Sequence, residues 1–138
     1  MWSSEAQEII YDGAEYVRAQ KIALTLSQNP EALRRLRVCL VTEGGAGNCG
    51  FCNKCIRTMI TLEIVGALRT CGVFPPRLPR DFWRRLEVTS AGELTMVDGN
   101  LWLARERGAP RWLQRGLERA ANLGRLEIAA TSAAMSGF

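Results

Sequence analysis

The stretch RVCLVTEGGAGNCGFCNKCIRT, residues 37–58, holds four of the five cysteines of the chain. Their order is Cys39-x9-Cys49-x2-Cys52-x2-Cys55. A Cys-x2-Cys turn lets two thiolates converge on one ion, and four thiolates at about 2.3 Å from Zn²⁺ form a closed tetrahedral site. The spacing therefore predicts a structural Zn²⁺ site with these four ligands, and Gly50 suits the positive φ that such a turn demands.

Other cysteine chemistries have to be weighed against zinc. An iron–sulfur cluster is the second alternative, because Cys-x2-Cys-x2-Cys matches part of the bacterial ferredoxin pattern, although no cysteine follows in CIRTM. An odd cysteine count and the lack of a secretion signal argue against a disulfide framework. A redox Cys-x-x-Cys pair would need a βαβ context, which the pattern does not show. Cys71 stands apart, and we expect it to be a buried thiol.

The composition narrows the function classes. The 138 residues include no histidine, so no Ser–His or Cys–His nucleophile pair can form within them. Lys and Arg total 18 against 14 Asp and Glu, and the net charge of +4 is compatible with an anionic partner. No apolar run of about 18 residues predicts a membrane span. The opening MWSSEAQEII lacks the regions of a signal peptide, so we expect a cytoplasmic location without a membrane partner.

Apolar residues recur at helical spacing through most of the chain. Helices are predicted over 14–26, 28–37, 53–70 and 80–88, and over 98–127 on both sides of the Gly-Ala-Pro break at 108–110. Asn29 is expected to cap the second helix, with Pro30 at its first position. Near the start, a capping pattern from Ser4 to Gln7 competes with a β-prone stretch at 8–12. The tail at 128–138 is expected to fray.

These patterns predict a mostly α fold. We expect a small helical domain around the four-cysteine zinc knuckle, with at most one or two short strands. The chain divides into a zinc-bearing helical segment at 1–76 and a helical C-terminal extension at 77–138, packed on the first segment. The length suits one ordinary domain.

Residues 8–76 carry a family resemblance. The stretches YDGAEYVRAQKI (11–22), NPEALRRLRVC (29–39), NCGFCNKCIRT (48–58) and LRTCGVFPP (68–76) resemble the C-terminal part of 7-cyano-7-deazaguanine synthase-like proteins. Those proteins belong to the adenine nucleotide alpha-hydrolase, or PP-loop ATP pyrophosphatase, superfamily. The resemblance implies that the four cysteines of 37–58 are zinc ligands. It also places Lys21 near the family's lysine in the preceding helix and Arg57 near the basic residue after the last cysteine.

The resemblance stops short of the catalytic half of that family. Its members bind ATP with an N-terminal Ser-Gly-Gly-x-Asp-Ser loop whose backbone N–H groups hold phosphates. This sequence has no such loop, since TEGGAGN lies between zinc ligands. We therefore expect a zinc-binding C-terminal segment of a PP-loop ATP-dependent enzyme, catalytically inert alone. Its partner would be an ATP-binding chain or an upstream domain.

A second hypothesis rests on the arginines of the last helix. Arg111, Arg115 and Arg119 recur every four residues and would line one helical stripe suited to phosphate contacts. With Lys21 and Arg57, they are the candidate anion-binding residues. The alternative function is therefore a small stand-alone zinc module that binds nucleic acid or a protein partner through Arg-rich helices. A plain helical interaction protein, anchored by tryptophans, is a third reading.

Overall fold

The computed structural model describes residues 17–24, 26–41 and 47–137, and all structural statements concern these ranges. They form six α-helices: α1 (Arg18–Leu24), α2 (Pro30–Arg34), α3 (Asn53–Ile64), α4 (Leu68–Cys71), α5 (Ala91–Glu106) and α6 (Arg111–Ser136). Short 3-10 helices occupy Leu26–Gln28 and Phe82–Arg85. No strand occurs within these ranges, so the mostly α prediction is confirmed. The predicted cap at Ser4–Gln7 and the strand at 8–12 lie outside the described residues.

The helix starts follow local capping rules. The Asn29 side chain accepts a hydrogen bond from the Ala32 N–H at 3.1 Å, and Pro30 opens α2, as predicted. Helix α5 begins at Ala91, seven residues before the predicted start at 98. The signal is a Ser-x-x-Glu capping pattern, in which the Ser90 side chain accepts from the Glu93 N–H at 3.3 Å. The start of α5 is thus encoded locally.

The predicted helix at 53–70 is divided in two. Helix α3 ends at Ile64, and Gly66 follows with φ +75°. The Ala67 N–H donates to the Leu62 carbonyl at 2.8 Å and the Gly66 N–H donates to the Glu63 carbonyl at 3.1 Å, which is a Schellman motif. Glycine reaches this left-handed conformation without the steric cost of a side chain. The prediction of one continuous helix over 53–70 was therefore wrong.

Two further predictions for the C-terminal part need correction. The helix expected over 80–88 is only the 3-10 turn Phe82–Arg85. The tail expected to fray remains helical as far as Ser136, because it is rich in alanine, the strongest helix former. The predicted break at 108–110 is correct, and it joins α5 to α6 as a helical hairpin.

Helix α3 supplies the centre of the core. Its side chains Ile56, Met59, Ile60 and Leu62 are all fully buried. They belong to one apolar cluster that also contains Leu113 and Leu117 of α6. Side chains from both sides of position 76 thus share one core, and the predicted division into two segments there stays a prediction.

Asn100 of α5 is a buried polar link to α3. It is 3% exposed. Its amide oxygen accepts from the Thr61 hydroxyl at 2.7 Å, and its NH₂ group donates to the Arg57 carbonyl at 3.3 Å. A buried amide with both ends bonded fixes the register of the two helices.

Replacing this link is expected to be costly. Asn100→Ala should lower the free energy of unfolding by about 1–3 kcal/mol, because both hydrogen bonds are lost in the core. Asn122→Ala on the exposed face of α6 is the control, and a change below about 0.5 kcal/mol is expected there. Urea denaturation measures both. A double-mutant cycle with Thr61→Val that gives no coupling would contradict the link.

Candidate metal centre

The four cysteines predicted as ligands converge on one point. The Sγ atoms of Cys39, Cys49, Cys52 and Cys55 all lie within 4.8 Å of one another, an arrangement that can hold a metal ion. Cys39 and Cys55 are buried, at 2% and 0% exposure, and the other two are half-buried. Cys39, which lies ten or more positions before the other three cysteines, is thus brought beside them, as the spacing predicted. The fold and this group define the class: a small helical protein with four clustered cysteines that can hold a metal ion.

The start of α3 and the turn before it position three of the sulfurs. Cys52 is the N-cap residue of α3, and its backbone N–H lies 3.4 Å from the Cys49 sulfur as a donor. Cys55 follows in the first turn. Gly50 has φ +77°, as predicted, and a Cβ atom there would lie 2.7 Å from the Pro75 ring. The turn therefore requires glycine for its backbone angle and for its closeness to Pro75.

Asn48 holds the fourth cysteine in place, and the sequence analysis did not single it out. Its amide oxygen accepts from the backbone N–H groups of Val38 and Cys39, at 2.9 and 3.2 Å. Its NH₂ group donates to the carbonyls of Leu36 and Val73, at 2.8 and 3.2 Å. One side chain thus joins three chain segments beside the sulfurs, as outer-shell groups around metal ligands do.

Burial keeps at least one of the four sulfurs a neutral thiol in the absence of a cation. Burial raises the pKa of the Cys55 thiol far above its ordinary value, while a hydrogen bond from the Gly50 backbone acts in the opposite direction. A bound metal ion holds such a sulfur as thiolate, because its charge compensates for the lost hydration. The chain has no histidine, no carboxylate among the described residues belongs to the group, and four protein sulfurs leave no open position on a tetrahedral ion.

The fifth cysteine is separate from the group. Cys71 is buried, and its thiol donates to the Leu68 carbonyl at 3.1 Å within α4. It lies in the apolar core, as expected for a small hydrophobic side chain.

The predicted anion-binding residues do not form one site. Arg57 lines a cavity between α1, α3 and α5, together with Arg18 and Lys54. Arg115 and Arg119 line a separate groove on α6, and Arg111 is exposed at the start of that helix. Lys21 lines neither the cavity nor this groove. The sequence placed Lys54 and Arg57 only as charges near the cysteines, and it did not predict that they would line one cavity with Arg18, because that depends on how α1 packs on α3.

Comparison with known proteins does not narrow this class further. No family model, no curated protein and no solved structure matches the chain. Across the described ranges, every helix is too short or too polar to cross a membrane.

Proposed function

We propose that the four cysteines hold one structural Zn²⁺. The observation that carries this proposal is that all four sulfurs lie within 4.8 Å of one another, with 3.7 Å between those of Cys49 and Cys55. Tetrahedral thiolates at about 2.3 Å from one ion lie about 3.8 Å apart. An iron–sulfur cluster distributes its four cysteine ligands over several iron atoms, so the cysteine sulfurs on different irons lie farther apart. The spacing therefore favours a single ion.

The proposed zinc acts as a brace. It joins Cys39, which follows α2, to the turn at Cys49–Cys52 and to the first turn of α3. Helix α3 supplies the centre of the core, so an ion that fixes its N-terminus would help to hold the core together. Because the four sulfurs complete the coordination, the ion supplies stability rather than a reactive position.

We propose further that this braced unit is the C-terminal part of a PP-loop ATP-dependent enzyme. The support is the resemblance of residues 8–76 to 7-cyano-7-deazaguanine synthase-like proteins, which includes the cysteine spacing and the stretch LRTCGVFPP. The chain is catalytically inert alone, and an ATP-binding chain or upstream domain supplies the phosphate loop. The cytoplasm, where ATP is available, is the proposed location.

Two measurements test these proposals separately. Native mass spectrometry with elemental analysis should find one zinc per chain, and iron with visible absorbance would overturn the zinc assignment. An antibody against residues 111–136 should detect, in the source cell, a polypeptide of more than about twice the 15.3 kDa of this chain. A species near 15.3 kDa that copurifies with no ATP-binding chain would overturn the enzyme proposal and leave the zinc proposal intact.

One observation favours the second candidate function, a stand-alone module for nucleic acid. The arginines and tryptophans that line a groove of about 600 Å³ beside α6 are Arg80, Trp83, Trp112, Arg115 and Arg119. The groove is also lined by one carboxylate, Glu118, which forms an ion pair with Arg105 at 2.8 Å. The Arg119 guanidinium lies 4.9 Å from the centre of the Trp83 ring. Cations beside aromatic rings suit single-stranded nucleic acid.

The salt dependence of binding decides this candidate. Three phosphate contacts by arginine predict a loss of roughly fifteenfold in affinity for a labelled 12-nucleotide single strand between 50 and 200 mM salt. Arg115→Gln should weaken binding and reduce the salt slope, whereas Arg69→Gln on α4 should change neither. Affinity that does not depend on salt would exclude the candidate.

A further inference from the structure

A cavity of about 320 Å³ lies between α1, α3 and α5. Its walls are mostly apolar, with Val17 and Ile22 on the side of α1 and Met96 on α5. None of the four clustered cysteines lines it. Small-molecule sites in proteins occupy about 300–1,000 Å³, so this cavity has the size of a site for a small ligand.

Three cationic side chains line this cavity, and none of its described lining residues is a carboxylate. They are Arg18 from α1 and Lys54 and Arg57 from α3. Among the described residues, no hydrogen bond or ion pair is found for the side chains of Arg18 and Lys54. Cations close together on an apolar surface repel one another, so an anion bound between them lowers the electrostatic free energy of all of them.

Arg57 is the most enclosed of the three cations. Arg57 is half-buried, whereas Arg18 and Lys54 are exposed. The guanidinium Nε donates to the backbone carbonyl of Asn53 at 3.3 Å, and Nη1 lies 2.9 Å from the Met96 sulfur. The thioether is only a weak acceptor. The charge of Arg57 is therefore only partly compensated within the fold.

Glu93 is already engaged by its own capping pattern. One carboxylate oxygen accepts from the Thr89 N–H and from the hydroxyls of Thr89 and Ser90, at 3.0–3.3 Å. The other accepts from the Asn53 amide at 3.4 Å. The Thr89 N–H is the main reason that the pKa of Glu93 is lowered. This carboxylate caps α5 and lies outside the cavity lining; its charge partly compensates that of Arg57, and it forms no hydrogen bond with Arg18 or Lys54.

The walls of the cavity are held by buried contacts. The Asn100 amide and the Thr61 hydroxyl, both lining residues, bond to each other at 2.7 Å across α5 and α3. Gly99 faces α1, where an added Cβ would lie 3.6 Å from Val17. Helices fixed in this way present a preformed surface, and a ligand entering a preformed site loses little affinity to ordering.

We propose that this cavity binds a small organic anion, with its acid group held by Arg18, Lys54 and Arg57 and its apolar body against Val17, Ile22 and Met96. The ligand class is a carboxylate or phosphate ester on an apolar, ring-sized body. The cavity is separate from the metal centre, so this inference does not rest on the identity of the metal.

Three probes test this proposal by calorimetry on the metal-loaded 138-residue chain. They are 1-naphthyl phosphate, its neutral counterpart 1-naphthol, and inorganic phosphate, each titrated by isothermal calorimetry. We expect 1-naphthyl phosphate to bind at least about tenfold more tightly than either part alone, because it uses both the charges and the apolar walls. The proposal would be overturned if 1-naphthol or inorganic phosphate bound as tightly as 1-naphthyl phosphate. It would also be overturned if 1-naphthyl phosphate did not bind.

Charge-removing variants locate the bound probe. Arg18→Gln and Lys54→Gln alter exposed side chains, so the fold is preserved, and each should weaken 1-naphthyl phosphate about fivefold. Arg57→Gln should weaken it about tenfold, since its charge is less screened. Arg69→Gln removes an equal charge from the exposed face of α4 and should leave the affinity unchanged. If Arg69→Gln weakens binding as much as Arg18→Gln does, binding reflects net charge and the site is wrong.

Discussion

Removal of the metal is expected to unfold most of the chain. Structural zinc contributes on the order of 10 kcal/mol of apparent folding free energy, which is as large as the whole stability of an ordinary domain. The metal-binding sulfurs join the segment after α2 to the N-terminus of α3, and α3 carries the centre of the core. Circular dichroism at 222 nm and tryptophan fluorescence, recorded before and after a strong chelator, should therefore lose most of the native signal. Excess Zn²⁺ should restore it.

A matched pair of cysteine variants separates the metal from simple packing. Cys55 and Cys71 are both buried, at 0% and 1% exposure, and both contact the same apolar cluster. Cys55→Ala should lose the metal and the cooperative thermal transition. Cys71→Ala should keep one metal ion and lose only about 1 kcal/mol, because it removes one buried sulfur. A chelated protein that keeps its helical signal would favour the third reading, a helical interaction protein that needs no metal.

The metal centre was predictable because its signal is local. Cys49, Cys52 and Cys55 lie within seven residues, and the positive φ of Gly50 follows from the turn that joins them. The capping of α2 by Asn29 is local for the same reason. The start of α5 at Ser90 was also encoded locally. There, Gly92 and Thr95, which have low helix propensity, obscure the helical pattern.

The features that were not predicted from the sequence depend mainly on contacts between distant segments. Asn48 acts on Val73, which is 25 residues away, so no short pattern reveals its role beside the sulfurs. The cavity needs Arg18, Lys54 and Met96 from three helices, and only tertiary packing brings them together. The end of α3 was signalled by Gly66, yet a single glycine inside an apolar helical pattern is often tolerated. A glycine in such a pattern can mark a kink, lie inside a continuous helix or end the helix. Here the Schellman hydrogen bonds end the helix.

The second large effect is expected from a single methyl group on α6. Gly124 is buried against Val88, and an added Cβ would lie 2.2 Å from the Val88 Cγ1 atom and 2.5 Å from its Cβ. It would also lie 3.1 Å from the Val88 carbonyl oxygen, so rotation of one side chain cannot relieve the contact. Alanine gains about 1 kcal/mol over glycine in helix propensity, whereas overpacking that moves backbone costs about 3 kcal/mol. Gly124→Ala should therefore lower the free energy of unfolding by about 2 kcal/mol.

Gly99→Ala is the control that separates the steric effect of the added methyl group from its effect on helix propensity. Gly99 also lies inside a helix, α5, but an added Cβ meets Val17 at 3.6 Å, an ordinary van der Waals distance. The same substitution should therefore raise stability there, by up to about 1 kcal/mol. Thermal unfolding of the metal-loaded variants should separate their midpoints by roughly 10 °C. If both variants were stabilised equally, the 3-10 turn and the segment after it would not pack against α6, and Gly124 would not be needed for their close approach.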